Sequence, residues 1–183
     1  MKLRPQFLPR WGPPLLWDVL RGVRNACAEG MTHHTNWISA EAQEHYRVTY
    51  SENVRHFLYW DPDGCIAAFS RLEWRDGYVY PTYGVVPSQR GKGYAWEVVK
   101  HTMLAAGGPL KGDLLADNEA IKKVDYALGW VPVGEPHDGI QDVEAAWPPQ
   151  FYLDAEANEQ CLLHIREIPE VAKVIAEYWE KHL

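Results

Sequence analysis

The stretch Val85-Val86-Pro87-Ser88-Gln89-Arg90-Gly91-Lys92-Gly93-Tyr94-Ala95 constrains this chain more than any other. A strand pattern over 78–86 runs into a glycine turn, and the turn opens a helical pattern over 94–106. Ala95, Val98, Val99, Met103 and Ala106 share one face of that helix. Such a joint aims successive backbone N–H groups at one point, at the positive end of the helix dipole. Gly91 and Gly93 let an anion approach the main chain, and Arg90 and Lys92 add charge. The ligand implied is a phosphate or pyrophosphate. The Walker pattern is absent, and Trp96 breaks the dinucleotide fingerprint. On glycine count alone, a phosphate cradle and a plain helix start both stay open.

The remaining pattern alternates short strands with helices, as in a mixed α/β domain. Residues 2–8 read as a strand. Pro13-Pro14 opens a helix carrying Leu16, Leu20, Val23 and Cys27 at helical spacing, with Gly30 as its expected stop. Ser39 caps a second helix running toward Ser51. Strands are expected over 54–60, 65–74 and 78–86, joined by Asp61-Pro62-Asp63-Gly64 and Arg75-Asp76-Gly77. Pro81 marks the third as an edge or bulged strand.

Gly107-Gly108-Pro109 ends the central helix, and 110–116 follows as a strand. Residues 118–128 read as a helix with Ala120, Ile121, Val124, Ala127 and Leu128 on its apolar face and Gly129 just past its end. Residues 130–133 read as a further strand. Residues 135–150, rich in Pro, Asp and Gly, read as a long loop, with Trp147 closing over a substrate. Short strands are expected over 151–153 and 161–166. Pro169 opens a last helix with Val171, Val174, Ile175, Tyr178 and Trp179 on one stripe. That stripe docks on the domain or forms a homodimer contact. The 183 residues suit one domain, with a core over about 1–134 and an extension over 135–183.

The pattern Val-x-Pro-x-x-Arg-Gly-x-Gly-x-Ala over 85–95 resembles the acetyl-CoA motif of the GNAT superfamily of N-acetyltransferases. Asn118, followed by a helix closing on Leu128-Gly129-Trp130, is similar to the family's Asn…Leu-Gly-Phe segment. The resemblance covers about 54–133 well. It covers the first fifty residues only by element order and the last fifty hardly at all. It implies a splayed, mostly antiparallel mixed sheet with helices on both faces, here with the C-terminal helix added. It also implies transfer of acetyl from acetyl-CoA to a primary amine by direct attack in a ternary complex.

Position by position, the resemblance implies the following. The main chain of Val85 and Val86 pairs with the pantetheine arm, and the Val85 N–H holds the thioester carbonyl. The N–H groups of Arg90, Gly91, Lys92, Gly93, Tyr94 and Ala95 cradle the pyrophosphate. Asn118 meets the pantetheine or adenine end. Lys122 and Lys123 are candidates for a nucleotide phosphate, or plain solvated helix charges. The family often places a tyrosine four residues before the closing glycine, where it protonates the departing thiolate. That position here is Asp125, and Tyr126 sits one residue on. One residue turns a helical side chain by about 100°. Tyr126 is the candidate acid on condition that the helix shifts; otherwise water or another tyrosine serves, or no acid is needed, since a thiolate is a fair leaving group.

An amine of pKa about 10 must lose a proton before it attacks. Candidate acceptors of that proton are Glu73, ranked first for charge and position, then His56, Tyr80 and Tyr83. Strand alternation puts Tyr83 on the face of Val85 and Tyr80 on the other, unless a bulge at Pro81 intervenes. The stretch 31–37 borders the acceptor pocket in such a fold. Its His33-His34 pair lacks a third ligand at a telling spacing, so no metal is expected.

Composition narrows the partners. Eighteen Lys+Arg against 25 Asp+Glu give a net charge of −7, which argues against nucleic acid and anionic membrane. It leans toward a small cationic or sugar-like amine, with a peptide or protein amine also open. Cys27, Cys65 and Cys161 carry neither a metal-knuckle nor a nucleophile pattern. No run of about 18 apolar residues occurs, so a cytoplasmic protein is expected. The alternative function, from another class, is a non-catalytic acyl-CoA sensor or interaction module.

Overall fold

The structure is a computed structural model that describes residues 2–33 and 35–149. The stripe from Val171 to Trp179, the short strands expected beyond 150, Cys161 and His34 lie outside the described residues.

Among the described residues, seven strands form one sheet in the order β1-β2-β3-β4-β5-β7-β6. The strands are β1 (Arg4–Leu8), β2 (Val54–Trp60), β3 (Ile66–Arg75), β4 (Tyr78–Val85), β5 (Leu110–Leu115), β6 (Val131–His137) and β7 (Ile140–Ala145). Every neighbouring pair is antiparallel except β4 and β5. Those two run parallel and meet at one register pair, Val79 with Leu110. Beyond Val79 they part, and the sheet splays toward the end of β4.

Pro81 fits this geometry. Its pairing with β3 stays in register, Leu72 opposite Pro81 and Glu73 opposite Tyr80, so no bulge forms there. The expected edge lies inside the sheet instead. Past Val79 one flank of β4 has no strand beside it, and a residue without an N–H is tolerated on such a flank.

Helices cover both faces. α1 (Pro14–Ala26) and α2 (Ala40–Thr49) pack on one, and α3 (Tyr94–Ala106) and α4 (Glu119–Ala127) on the other. α1 starts on the Pro13-Pro14 pair and buries Trp17, Leu20 and Val23. It stops earlier than Gly30: Cys27 is its C-cap, and a 3₁₀ turn over Ala28–Gly30 completes the segment. Ser39 caps α2, its Oγ accepting the Ala42 N–H at 3.1 Å. A cap of this kind contributes about 1 kcal/mol. Gly84 brings α1 onto β4. A Cβ there would lie 2.9 Å from the Phe69 ring and 3.0 Å from Cys27 Cβ.

The larger core gathers Phe57, Tyr59, Leu72, Val99, Met103 and Leu110 between the sheet and α3. Most of α3 is buried, including His101 to Ala106, whereas Ala95 is only partly so. On α4 the expected apolar face is corrected. Ala120 and Ala127 are exposed, and Asp125 is buried beside Ile121 and Val124.

The expected loop over 135–150 is also corrected. Residues 131–145 form the β6–β7 hairpin, turned by Asp138 (φ 48°) and Gly139 (φ 76°). Two positive φ values suit the primed hairpin turn that matches strand twist. β7 then inserts between β5 and β6. Trp147 does not reach over a substrate: its Nε1 donates to Met103 O at 3.1 Å, and it packs on the core. Among the described residues no helix is long and apolar enough to cross a membrane.

Candidate functional site

The splay between β4 and β5 opens a cavity of about 940 Å³ that reaches both faces of the sheet. Its lower wall is the glycine turn. Gly91 and Gly93 have φ of +79° and +81°, a region other residues enter only with strain, and a Cβ at either would meet nothing within 4 Å. Gly93 is the N-cap of α3 and supplies no side-chain cap, so the first N–H groups of the helix face open space. Of the expected cofactor residues, Val85, Arg90, Gly91, Gly93, Tyr94, Ala95 and Asn118 line the cavity.

Val86 and Lys92 do not line it. The Val86 N–H donates to Ala67 O at 2.9 Å, toward β3. Backbone N–H groups alternate sides along a strand, so that of Val85 points into the gap. Arg90 Nε donates to Val85 O at 3.3 Å, which lays the arginine along the same gap. Lys92 Nζ donates to Gln89 Oε1 at 2.7 Å on the exposed side of the turn. Asn118 caps α4, its Oδ1 accepting the Ile121 N–H at 3.3 Å, which leaves its amide N–H groups for a ligand. Lys122 is bound to Glu119 and to the Ala116 carbonyl.

Two residues meet on the α3–α4 face. The Tyr83 hydroxyl, on the cavity wall, donates to Asp125 Oδ2 at 2.8 Å. Asp125 is buried, and its Oδ1 has no hydrogen-bond partner among the described residues. Burial pushes the Asp125 carboxyl up to about 7, against the pull of the Tyr83 hydrogen bond. Burial, and then the neighbouring Asp125 charge, hold the Tyr83 hydroxyl well above its usual range. Tyr83 keeps its proton and suits donation rather than proton acceptance. Tyr126 is 38% exposed and is not among the cavity-lining residues.

The opposite face of the sheet holds a polar cluster that also lines the cavity. Arg71 Nη2 donates to Glu73 Oε2 at 2.8 Å, and Arg71 Nε donates to the Tyr46 hydroxyl oxygen at 3.3 Å. Tyr46 Oη lies 2.9 Å from His56 Nε2. Burial, followed by the charges of Arg71 and Arg24, pushes His56 down to about 3, so it stays neutral and is a weak base. Arg75 stacks over the Tyr80 ring at 3.8 Å. The register pairs Glu73 with Tyr80 and Ser70 with Tyr83, so the first pair and Tyr83 lie on opposite faces. At the rim, His33 Nε2 and Thr32 Oγ1 both engage Asp113. Cys27 lines the cavity, but burial pushes its thiol up to about 11, which disfavours a thiolate nucleophile.

Sequence reasoning missed Arg24, Tyr46 and Arg71 as cavity residues and Asp125 as a partner of Tyr83. Arg71 had a signal: alternation along 65–74 puts it on the face of Glu73. Arg24 and Tyr46 belong to helices whose docking no local pattern records.

No family model matches this chain, and no curated protein matches it in sequence. Solved structures do. One, assigned as a phosphinothricin N-acetyltransferase, superposes with a TM-score of 0.65 at 14% identity, covering 79% of this chain and 98% of that one. A variant of the spermidine N-acetyltransferase SpeG from Vibrio cholerae gives 0.63 at 14% identity, covering 79% and 94%. The protein yncA from Salmonella typhimurium, assigned as an acetyltransferase and solved with its cofactor acetyl-CoA, gives 0.62 at 11% identity, covering 80% and 94%. The likeness shows that this chain has the splayed fold of these proteins.

Proposed function

We propose that this chain is an N-acetyltransferase that moves acetyl from acetyl-CoA to a primary amine by direct attack in a ternary complex. The observation that carries the reading is the parting of β4 from β5 directly above an uncapped, glycine-built helix start. The residues present fit the cofactor: a main-chain cradle with open space at Gly91 and Gly93, and an inward Val85 N–H. Acetyl-CoA supplies an activated acetyl group on a thiol leaving group.

The chain's own groups divide the remaining work. N–H groups from Gly91 to Ala95 bind the pyrophosphate. Arg90 releases Val85 O, freeing that carbonyl for the pantetheine amide and its own guanidinium for phosphate. The Val85 N–H donates to the thioester oxygen as negative charge gathers there. Glu73, opposite Tyr80 and five residues of strand from Val85, accepts the amine proton through intervening water on the α1–α2 side. Tyr83, in place of Tyr126, donates a proton to the departing sulfur and is resupplied from Asp125. The ammonium nitrogen gives up two protons, one to Glu73 before attack and a second as it becomes an amide; one proton reaches the thiolate and one passes to solvent, so the transfer balances. Asn118 orients the arm through its amide.

Calorimetric titration of acetyl-CoA into the full chain and into Gly91→Trp tests the reading. Binding to the wild type that the variant loses, followed by thiol release when a primary amine is added, supports it. Binding with no thiol release from any amine favours an acyl-CoA sensor. No binding to the folded wild type overturns both.

A further inference from the structure

We propose that His56 and Tyr46 form a positioning chain for Glu73: His56 fixes the Tyr46 hydroxyl, Tyr46 fixes the Arg71 guanidinium, and Arg71 aims the carboxylate that takes up the amine proton. The proposal deepens the acetyl-transfer reading and rests on it for the role of Glu73. Neither Tyr46 nor His56 touches the reacting atoms; both act through Arg71.

The contacts run in series. His56 Nε2 lies 2.9 Å from Tyr46 Oη, Arg71 Nε donates to Tyr46 Oη at 3.3 Å, and Arg71 Nη2 donates to Glu73 Oε2 at 2.8 Å. They tie helix to sheet. Tyr46 stands on α2, His56 on β2, and Arg71 and Glu73 on β3, where the register sets Arg71 opposite His56. Arg71 and Glu73 share a face because they are two residues apart on a strand. All four residues line the cavity. Rings brace the chain from behind: Tyr46 stacks on Tyr50 at 5.3 Å, and Trp17 meets His56 edge-on at 5.4 Å.

The protons assign a direction to the chain. A guanidinium only donates, so Tyr46 Oη accepts from Arg71. His56 is neutral, because burial and then the charges of Arg71 and Arg24 push it down to about 3. A neutral imidazole has one bare nitrogen. Were Nε2 the protonated one, Tyr46 would accept from both neighbours, and its own proton would have no acceptor among the described residues. With Nε2 bare, the Tyr46 hydroxyl donates to His56 while it accepts from Arg71. The cost is a buried Nδ1–H with no partner among the described residues. The other arrangement leaves the Tyr46 proton and the Nδ1 lone pair both unpaired.

Arg71 needs this brace. Burial works against its charge, and Tyr46 and then Glu73 outweigh it, holding the guanidinium above its usual range. A long side chain held through Nη2 alone can still pivot. A second contact through Nε fixes the plane of its fork, and with it the direction of Glu73. Glu73 Oε2 is taken by Arg71, and Oε1 has no hydrogen-bond partner among the described residues. That oxygen is left for the water that carries the amine proton. With the Arg71 and Glu73 side chains 27% and 25% exposed, such water reaches the pair.

The test is a double-mutant cycle in the full chain. It uses acetyl-CoA and whichever amine, from a panel of polyamines, amino acids and aminosugars, releases thiol fastest. Tyr46→Phe keeps the ring and removes the hydroxyl. It should lower kcat about tenfold, with the amine KM and the acetyl-CoA affinity within about twofold of the wild type. In a Glu73→Gln background the same substitution should lower kcat by less than about twofold, because the group it positions is already lost. Equal losses in both backgrounds, or a change in KM alone, would overturn the proposal. Nitrogen NMR of the histidines, with His56 assigned through its backbone amide, reads the chain without turnover. At about pH 6 His56 should be neutral, with Nε2 bare and Nδ1 protonated. A protonated Nε2 would overturn the proposal, and should Tyr46→Phe not fold, this measurement decides. Thiol release with no amine would overturn the transfer reading and the purpose given to the chain, while a bare Nε2 would still uphold its contacts.

Discussion

The Tyr83 hydroxyl lies 2.8 Å from Asp125 Oδ2, joining the middle of β4 to the buried face of α4. Asp125 occupies the place where the resemblance calls for a tyrosine, and the phenol reaches it from the neighbouring strand instead. A carboxyl and a phenol thus share one hydrogen bond, the phenol on the cavity wall and the carboxyl buried behind it.

The pair makes stability depend on pH. The folded carboxyl is pushed up to about 7, and the free side chain titrates near 3.8. Between those values the folded state holds the extra proton, so stability falls as pH rises from about 4 to 7. Asp125→Asn should therefore be more stable than the wild type at pH 8, by about 2 kcal/mol, and no more stable at pH 4. Urea unfolding at the two values checks this. An equal difference at both would show that Asp125 does not titrate in this window.

Tyr83→Phe should lower kcat about 10- to 100-fold with acetyl-CoA affinity unchanged, and Tyr126→Phe should change kcat by less than about threefold. Single-turnover thiol release separates the two. If Tyr126→Phe proves the slower variant, the acid belongs to α4 after all.

Above pH 7 the ionised Asp125 claims the Tyr83 proton as a hydrogen-bond donor and has none of its own to pass on. The wild-type rate relative to Asp125→Asn should then decline above about pH 7. A pH-independent ratio would remove Asp125 from the proton path.

Glu73→Gln keeps the size of the side chain and its contact with Arg71 but cannot accept a proton. Its kcat should fall about 100-fold at pH 7 and recover toward pH 10, where the free amine is abundant. The pH profile of kcat measures it, and a flat loss across pH would mean that Glu73 only positions Arg71.

Gly84→Ala places a methyl group within 3 Å of the Phe69 ring. It should destabilise the fold by about 1–3 kcal/mol and loosen the α1 contact with β4. Chemical denaturation reads the first effect. An unchanged midpoint would show that Phe69 and Cys27 can give way.

What the chain revealed in advance follows the reach of each signal. The strand–turn–helix joint at 85–95, the Ser39 cap and the Asp76-Gly77 hairpin depend on neighbours in sequence, and all three stand in the structure. The Asp138-Gly139 hairpin has the same turn chemistry, but Pro132, Gly134 and Pro136 obscure the strand before it. Asp125 was hidden by its polarity: a carboxylate interrupts an apolar stripe, yet this one is buried where a tyrosine from β4 meets it. The Arg71–Tyr46–His56 cluster needs α2 and two strands in place together, and no window of sequence contains it.

The solitary register pair between Val79 and Leu110 makes the sheet two panels with a seam. An exposed sheet edge ordinarily recruits another strand and invites aggregation. This edge is flanked by protein on either side, so admission is by girth. A thin, linear arm with amides and no side branches can slide in and be stitched by the backbone of β4. A polypeptide, with side chains standing off both faces, must pry the panels apart to enter.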